Sequence, residues 1–251
     1  MYFMIGADYN DKTYDYTSYW NGRDYENESE VTALKKLLPK DFNKDRSIID
    51  VGGGFGRLLS LYKNYFGDIS VFDYSTSLLE KAQENAKSLE ISINTINGDI
   101  YSISNSVTKK YDFVSMIRVS HHLDDLEKAF QEVGQILKDD GVFILEIANK
   151  IHFKSVLINS LKGNFSYFKK DSISVASKDV TFLNHHPKHV EELLRKNGFI
   201  VERRLSVSNF RLPVIKKLFP YALLLGLENI SQDILPPIYF GPSIFYKIRK
   251  R

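Results

Sequence analysis

The residues best placed to do chemistry begin at Asp50-Val51-Gly52-Gly53-Gly54-Phe55-Gly56. Four glycines within five positions, directly after the apolar run Ile48-Ile49-Asp50-Val51, let the backbone turn sharply and let a ligand lie against it, since a Cβ would obstruct both. The spacing discriminates between ligands. A dinucleotide fingerprint requires glycine at 52, 54 and 57, and position 57 is Arg57. Asp50, ahead of the glycines, would repel a phosphate but suits a cationic ligand. Asp73 stands 21 residues after Gly52, at the spacing where a carboxylate accepts both hydroxyls of a ribose. Asp99, in Asn97-Gly98-Asp99-Ile100, is placed to accept from the amino group of a base, although Asn-Gly-Asp by itself makes a turn. The pair His121-His122 brings imidazoles that titrate near neutrality and can take a proton from a nucleophile.

The elements that must position these groups follow from hydrophobic periodicity. Ile48–Val51 reads as a buried strand and Leu58–Phe66 as an amphipathic helix after the glycine turn. Strands are predicted over 69–73, 91–96, 111–117 and 142–147. Helices are predicted from Ser75 to Leu89 and from Asp124 or Asp125 to Leu137. Such strand–helix alternation implies a parallel sheet with helices on both faces, and ligands then bind at the carboxyl ends of the strands. Upstream, Ser29 is a plausible cap for a helix ending at Leu38 before Pro39. Downstream, 151–186 breaks the rhythm and reads as an inserted cap. Pro187 opens a helix to Asn197, and strands at 199–207 and 243–248 close the pattern. Arg211–Leu227 is basic and apolar together and is read as a cap helix packing on the core, in preference to a membrane-surface segment.

With the motifs in order, residues 47–149 resemble the core of the class I S-adenosylmethionine-dependent methyltransferases, in particular their small-molecule type 11 group. Asp50–Gly56 resembles the first motif, Phe72-Asp73-Tyr74-Ser75 the ribose motif and Gly98-Asp99-Ile100 the adenine motif. Tyr111-Asp112-Phe113-Val114 with Val119-Ser120-His121-His122-Leu123 resembles the fourth strand and its exit, and Leu137-Lys138-Asp139-Asp140-Gly141-Val142 the turn before the fifth. The resemblance implies a Rossmann-like α/β fold, doubly wound, with seven strands, the last antiparallel, and a helical cap. It implies one domain over 1–251: an N-terminal cap at 1–40, a cofactor-binding core at 41–150, and cap insertions at 151–186 and 208–237, with 187–207 and 238–251 completing the sheet. S-adenosylmethionine is then the cofactor, held by Asp50, Gly52, Gly53, Gly54, Gly56, Asp73, Tyr74, Gly98, Asp99 and Ile100. Arg118 is placed beside it, and Arg23 is a candidate for its carboxylate. His122 or His121 is the candidate general base, and Tyr14, Tyr19 and His186 are candidate walls of a small-molecule acceptor site.

Other chemistries are set aside. Cysteine is absent, which removes disulfides and thiolate nucleophiles, and no His/Asp/Glu spacing suggests a metal site. Ile117-Arg118-Val119-Ser120 stands where base-methylating enzymes carry Asp/Asn-Pro-Pro-Tyr, so a nucleic-acid substrate is not expected. Charge is nevertheless uneven. From residue 150 onward there are 18 Lys and Arg against 7 Asp and Glu, within a net charge of +3 for the whole chain. That basic half leaves an RNA- or protein-modifying enzyme as an alternative, alongside a non-catalytic protein that only binds the cofactor. With no signal peptide and no membrane-length apolar run, a cytoplasmic location is expected. The sequence does not speak to oligomeric state.

Overall fold

The strands named above assemble into one sheet because their apolar side chains alternate between two faces. The structure, a computed structural model, describes residues 19–177 and 180–251. In chain order the elements are α1 (Asp24–Leu37), β1 (Asn43–Val51), α2 (Leu59–Tyr62), β2 (Phe66–Asp73), α3 (Thr76–Ser88), β3 (Asn94–Asn97), α4 (Ile103–Ser106), β4 (Tyr111–Met116) and α5 (Leu126–Ile136). There follow β5 (Leu137–Ala148), α6 (Phe153–Leu161), β6 (Ile173–Ser177), β7 (Val180–Asn184), α7 (Pro187–Lys196), β8 (Phe199–Val207), α8 (Pro213–Leu218), α9 (Tyr221–Ile234) and β9 (Ser243–Lys250). The seven-stranded sheet runs β3-β2-β1-β4-β5-β9-β8. Strands β1 to β5 pair in parallel, and β9 lies antiparallel to both β5 and β8. This is the Rossmann-like methyltransferase arrangement expected from the sequence.

Each face carries its own core. Ile49, Val51 and Val114 pack with α5 and α7, while Ile48, Val71 and Phe113 pack with α1 and α3, as the two-residue period of a strand requires. The order of connection reverses between β1 and β4, so the exit loops of those two strands diverge and leave a crevice. Asp50, Asp73 and the residues after β3 and β4 all stand at that edge.

Local departures from expectation have identifiable causes. Helix α1 starts at Asp24, before Ser29, because Asp24 and Glu26 occupy its first turn, where the helix dipole favours acids. Ser29 is buried within the helix, its hydroxyl donating to Tyr25 O at 2.7 Å. The helix after the glycine loop is only α2, four residues. Leu61, Asn64 and Tyr65 donate to carbonyls three positions back, and β2 begins early, at Phe66, leaving no length for more. Strand β3 begins at Asn94 rather than Ile91, and Ile91 and Ile93 pack against the core beneath α3. The Asp139-Asp140-Gly141 turn is absorbed as a bulge inside β5, between the pairs Tyr111–Leu137 and Phe113–Val142.

The cap differs more. The insertion at 151–186 contributes α6 but also the hairpin β6–β7, antiparallel with Val175 opposite Phe182. The two strands are five residues each, too short for a clear period to stand out from the weak helical pattern. Helix α8 buries nothing, and α9 buries Leu224 but otherwise only Glu228, Ser231 and Gln232. Val214, Leu218, Tyr221, Leu223, Leu227, Ile230 and Ile234 are exposed, so the segment read as packing through its apolar residues packs through polar ones. Glu228 is the centre of that contact, accepting from Tyr25 OH (2.6 Å), Ser208 N (2.8 Å) and Asn209 N (2.9 Å). Among the described residues no helix is long and apolar enough to cross a membrane.

Candidate active site

The glycine loop contributes space more than donors. Gly52 N–H and Gly53 N–H both donate to Phe72 O, at 2.7 and 3.2 Å, Gly56 N–H donates to Gly53 O, and Gly54 N–H donates to Asp73 Oδ2 at 2.9 Å. The N–H groups of Gly52, Gly53 and Gly54 therefore stitch the loop to β2, and that of Gly56 closes the turn within the loop. Gly52 has φ +69° and a Cβ there would meet Val119 Cγ2 at 2.3 Å, so the β4 exit packs directly on it. At Gly54, with φ +53°, a Cβ would sit 3.7 Å from Leu78 Cδ1 and 4.0 Å from Asp73 Oδ2, ordinary contacts, so the left-handed backbone rather than crowding calls for glycine.

The acids at the strand ends are held for use. Asp73 is buried, with Oδ2 on Gly54 N–H and Oδ1 on Ser75 N–H, both 2.9 Å, and the Tyr74 N–H also donates to this carboxylate, which as an acceptor of about four bonds keeps room for a ligand hydroxyl. Asn97 binds the two exits together by donating to Asp73 O (3.1 Å) and Tyr74 O (2.8 Å). Asp99 is exposed and caps the turn Ile100–Ser102 by accepting Tyr101 N–H at 2.9 Å; Ile100 is buried and Tyr74 half-buried beside it. The turn weighed from sequence at Asn97-Gly98-Asp99 is thus realised together with a carboxylate at each strand end.

Asp50 lies beneath the loop, its Oδ2 2.9 Å from where a Gly53 Cβ would be. Ser115 donates to Oδ1 at 2.7 Å and Tyr62 OH at 3.4 Å. Burial lifts its carboxyl to about 6, against the hydrogen bond from Ser115 and the charge of Arg57. Because the folded state holds this proton more tightly than the unfolded chain, ionising Asp50 as pH rises from 4 through 6 costs stability, and the whole penalty is present above pH 6. Urea unfolding of wild type and Asp50→Asn should show the variant gaining about 2 kcal/mol relative to wild type between pH 4.5 and 7.5. A gap that does not change with pH would mean the carboxyl titrates normally.

One wall of the cleft is ionic. The cleft is lined by Asp50, Gly52, Gly53, Phe55, Arg57, Leu58, Ile117 and Arg118. Glu30, from α1 and only 1% exposed, accepts from Arg57 Nη2 at 2.6 Å and Arg118 Nη1 at 3.1 Å. Arg57 stacks on Trp20 (3.9 Å) and also reaches Asn27, while Arg118 donates to Tyr19 OH. The Trp20 Nε1–H is buried without a hydrogen-bond partner among the described residues. Arg118 takes a left-handed backbone (φ 62°), fixed where buried Glu146 accepts its N–H at 3.0 Å. Arg23, the candidate for a carboxylate, is exposed and lies over Tyr19 at 4.0 Å, outside the cleft lining. Arg57, Trp20 and Glu30 hold positions there that sequence reasoning did not assign. Arg57 carried the available signal, a basic residue opening a helical turn where a cation needs a partner.

The histidines separate by environment. His121 is buried, with its ring 4.1 Å from that of His122, and both pack on Phe182 of the hairpin at 5.1 and 5.4 Å. Burial, with His122, Arg118 and His185 nearby, pushes His121 well below the usual histidine value. It is neutral near pH 7 and a poor proton acceptor, whereas His122 is half-buried. His185 bridges the same region, with Nε2 on Ser120 O (2.9 Å) and Nδ1 beside Ser172 OH (2.8 Å). His186 stands at the N-cap position of α7 without a side-chain bond to the helix, and its neighbours are Lys150, Lys188, Lys170 and His189, not the groups of the cleft. Of the two, His185 is the one that reaches the β4 exit. Tyr14 lies outside the described residues.

A family model described as a methyltransferase domain matches residues 19–205. The chain belongs to that methyltransferase family. An uncharacterized protein of Methanocaldococcus jannaschii is 26% identical over 212 residues, 78% of each chain. A ubiquinone biosynthesis O-methyltransferase of Coxiella burnetii is 22% identical over 195 residues, 70% of this chain and 80% of that one. An S-adenosylmethionine-dependent methyltransferase structure from Clostridium acetobutylicum superposes with TM-score 0.60 at 15% identity, covering 93% of this chain and 96% of that one. The protein is a class I S-adenosylmethionine-dependent methyltransferase.

The methyltransferase's cleft fits that cofactor on its own chemistry. A buried carboxylate lies under the loop, left-handed Gly54 sits beside Asp73, a second buried carboxylate ends β2, and an indole N–H without a hydrogen-bond partner among the described residues lies among guanidiniums. Among the described residues no group of three or more His, Asp or Glu is arranged to hold a metal ion.

Proposed function

We propose that this methyltransferase acts on a small-molecule acceptor, with oxygen, nitrogen or carbon as the nucleophile. The observation that carries this is the aromatic lining gathered at the β4 exit: Tyr19 and Trp20 lie against Arg118, and the hairpin's Phe182 packs on His121 and His122. Such a lining suits a compact acceptor. Asp73 and Asp99 hold the ribose and base ends of the cofactor, Tyr74 and Ile100 flank the base, and Asp50 faces its cationic end. Arg57 and the Trp20 Nε1–H receive its carboxylate, a role first considered for Arg23.

When bound, S-adenosylmethionine supplies an electrophilic methyl group, whose bond to sulfur breaks with its electron pair as the acceptor's lone pair takes the carbon. The chain's own contribution is alignment, which supplies roughly 7–11 kcal/mol in well-oriented systems, and exclusion of water by Phe182 and the tyrosine–tryptophan lid. His122 takes the proton of an O–H or N–H acceptor; His121 and His185 pack and orient it.

Radiolabelled methyl transfer to a panel of phenols, amines and carboxylic acids, run beside total RNA and a protein lysate, tests this. Label appearing in a small molecule supports the reading, and label only in RNA or protein would sink it. Calorimetric binding of S-adenosylhomocysteine without turnover of any acceptor would favour a cofactor-binding protein that does not transfer methyl groups.

A further inference from the structure

One cation near Arg118 and Tyr19 carries no side-chain bond among the described residues. Arg211 lies just before α8 on a segment tied down on both sides. Upstream, Phe210 N–H donates to Tyr25 OH at 3.1 Å, and Ser208 and Asn209 donate their N–H groups to buried Glu228. Downstream, Lys216 of α8 pairs with both carboxylate oxygens of Glu26 at 3.1 and 3.3 Å. The backbone of Arg211 is therefore mounted rigidly over the start of α1, next to Tyr19. Yet its guanidinium has no hydrogen bond and no ion pair among the described residues, although its five donors ordinarily find acceptors.

The groups around it include two further guanidiniums and one carboxylate. Arg118, Glu26, Tyr19 and Arg23 face it from the β4 exit and from α1 and the turn before it, and His152 faces it from the β5 exit. Of these, Glu26 is already neutralised by Lys216 and Arg118 is held by Glu30. Burial and the repulsion of Arg118 push the Arg211 guanidinium below the usual arginine value, and burial with Arg211 nearby takes His152 down to about 4, so that ring is neutral. Arg211 is nonetheless solvent-exposed. A side chain crowded by protein but open to solvent is one that faces a concavity.

Topology says which concavity. The acids proposed to hold the cofactor end β1, β2 and β3, while Arg118, His121 and His122 follow β4 and His152 follows β5. Arg211 thus overlooks the β4–β5 side, where the acceptor must lie once the cofactor fills the β1–β3 side. We propose that Arg211 anchors an oxyanion of the methyl acceptor, so that the substrate is an acidic small molecule bearing a carboxylate or a phosphate. This rests on the small-molecule reading above and deepens it. A planar guanidinium binds either anion in a bidentate way. Arg23, stacked on Tyr19 and without an ion pair among the described residues, adds to the same field, which a neutral acceptor would leave uncompensated.

The test uses benzoate, phenyl phosphate and the neutral benzamide as probes, titrated calorimetrically into the full chain saturated with S-adenosylhomocysteine. At least one anion should bind about tenfold or more tighter than benzamide, and Arg211→Gln should abolish the preference while Arg211→Lys retains part of it. S-adenosylhomocysteine affinity should change less than about threefold in both variants, which certifies folding and separates the acceptor anchor from the cofactor site. Whichever anion binds tighter names the acidic group. Equal binding of all three probes, or an anion preference untouched by Arg211→Gln, overturns the proposal. The titrations are repeated without S-adenosylhomocysteine. An anion preference that needs Arg211 in a protein that never binds that nucleoside would keep the anion site and remove its role in methyl transfer.

Discussion

Asp73→Ala is expected to weaken S-adenosylmethionine and S-adenosylhomocysteine binding by about 100-fold, the loss of a charge-assisted hydrogen bond to a ribose hydroxyl. The carboxylate is buried and fixed on both oxygens, by Gly54 N–H and Ser75 N–H at 2.9 Å, so its remaining lone pairs point in set directions. The same bonds give the substitution a second consequence. Without Asp73 the N–H groups of Gly54 and Ser75 lose their acceptor, which should lower stability by about 2 kcal/mol and loosen the glycine loop. Asp73→Asn separates the two effects, because it keeps one acceptor oxygen for the backbone and removes the charge. Calorimetry and urea unfolding on wild type and both variants provide the check. Binding within threefold of wild type in Asp73→Ala would remove Asp73 from the cofactor site and leave it a loop brace.

Sequence distance decides which site residues are legible in the chain and which are not. Asp50, Asp73 and Asp99 sit at the ends of consecutive strands, so the length of a strand–helix repeat fixes their spacing and the sheet brings them to one edge. Glu30 carries no such mark. It reads as an ordinary helix-surface acid, and its burial depends on Arg57 and Arg118, 27 and 88 residues away. Nothing local announces that pairing. In the sequence Arg118 looks misplaced beside a sulfonium; Glu30, Glu146 and Tyr19 account for where its side chain and backbone go. The hairpin β6–β7 escapes the sequence pattern for a related reason: two five-residue strands carry little periodic signal, and Phe182 acquires its role only through His121 and His122. His185 and His186 are adjacent in sequence, and only the bridge from Asn149 to His185 turns one of them toward the site.

The ionic wall makes the second large prediction. Glu30→Gln should destabilise the fold by about 3 kcal/mol, since a buried carboxylate that loses its charge leaves two guanidiniums in a half-buried cleft beside the neutral acceptors Asn27 and Tyr19. Urea unfolding reads that loss. The charge also has a functional consequence that a purely structural brace would lack. Glu30 offsets one of the two cations flanking the cleft, so removing it raises the positive potential wherever the cofactor's sulfonium lies. S-adenosylhomocysteine differs from S-adenosylmethionine in lacking that sulfonium, while both carry the same carboxylate and ammonium. The ratio of their dissociation constants therefore isolates the sulfonium from every other contact. It should move about fivefold or more against S-adenosylmethionine in Glu30→Gln at low salt and contract as salt is raised. An unchanged ratio in a folded variant would confine Glu30 to holding α1 against the β4 exit, and would place the sulfonium beyond reach of the Arg57–Glu30–Arg118 group.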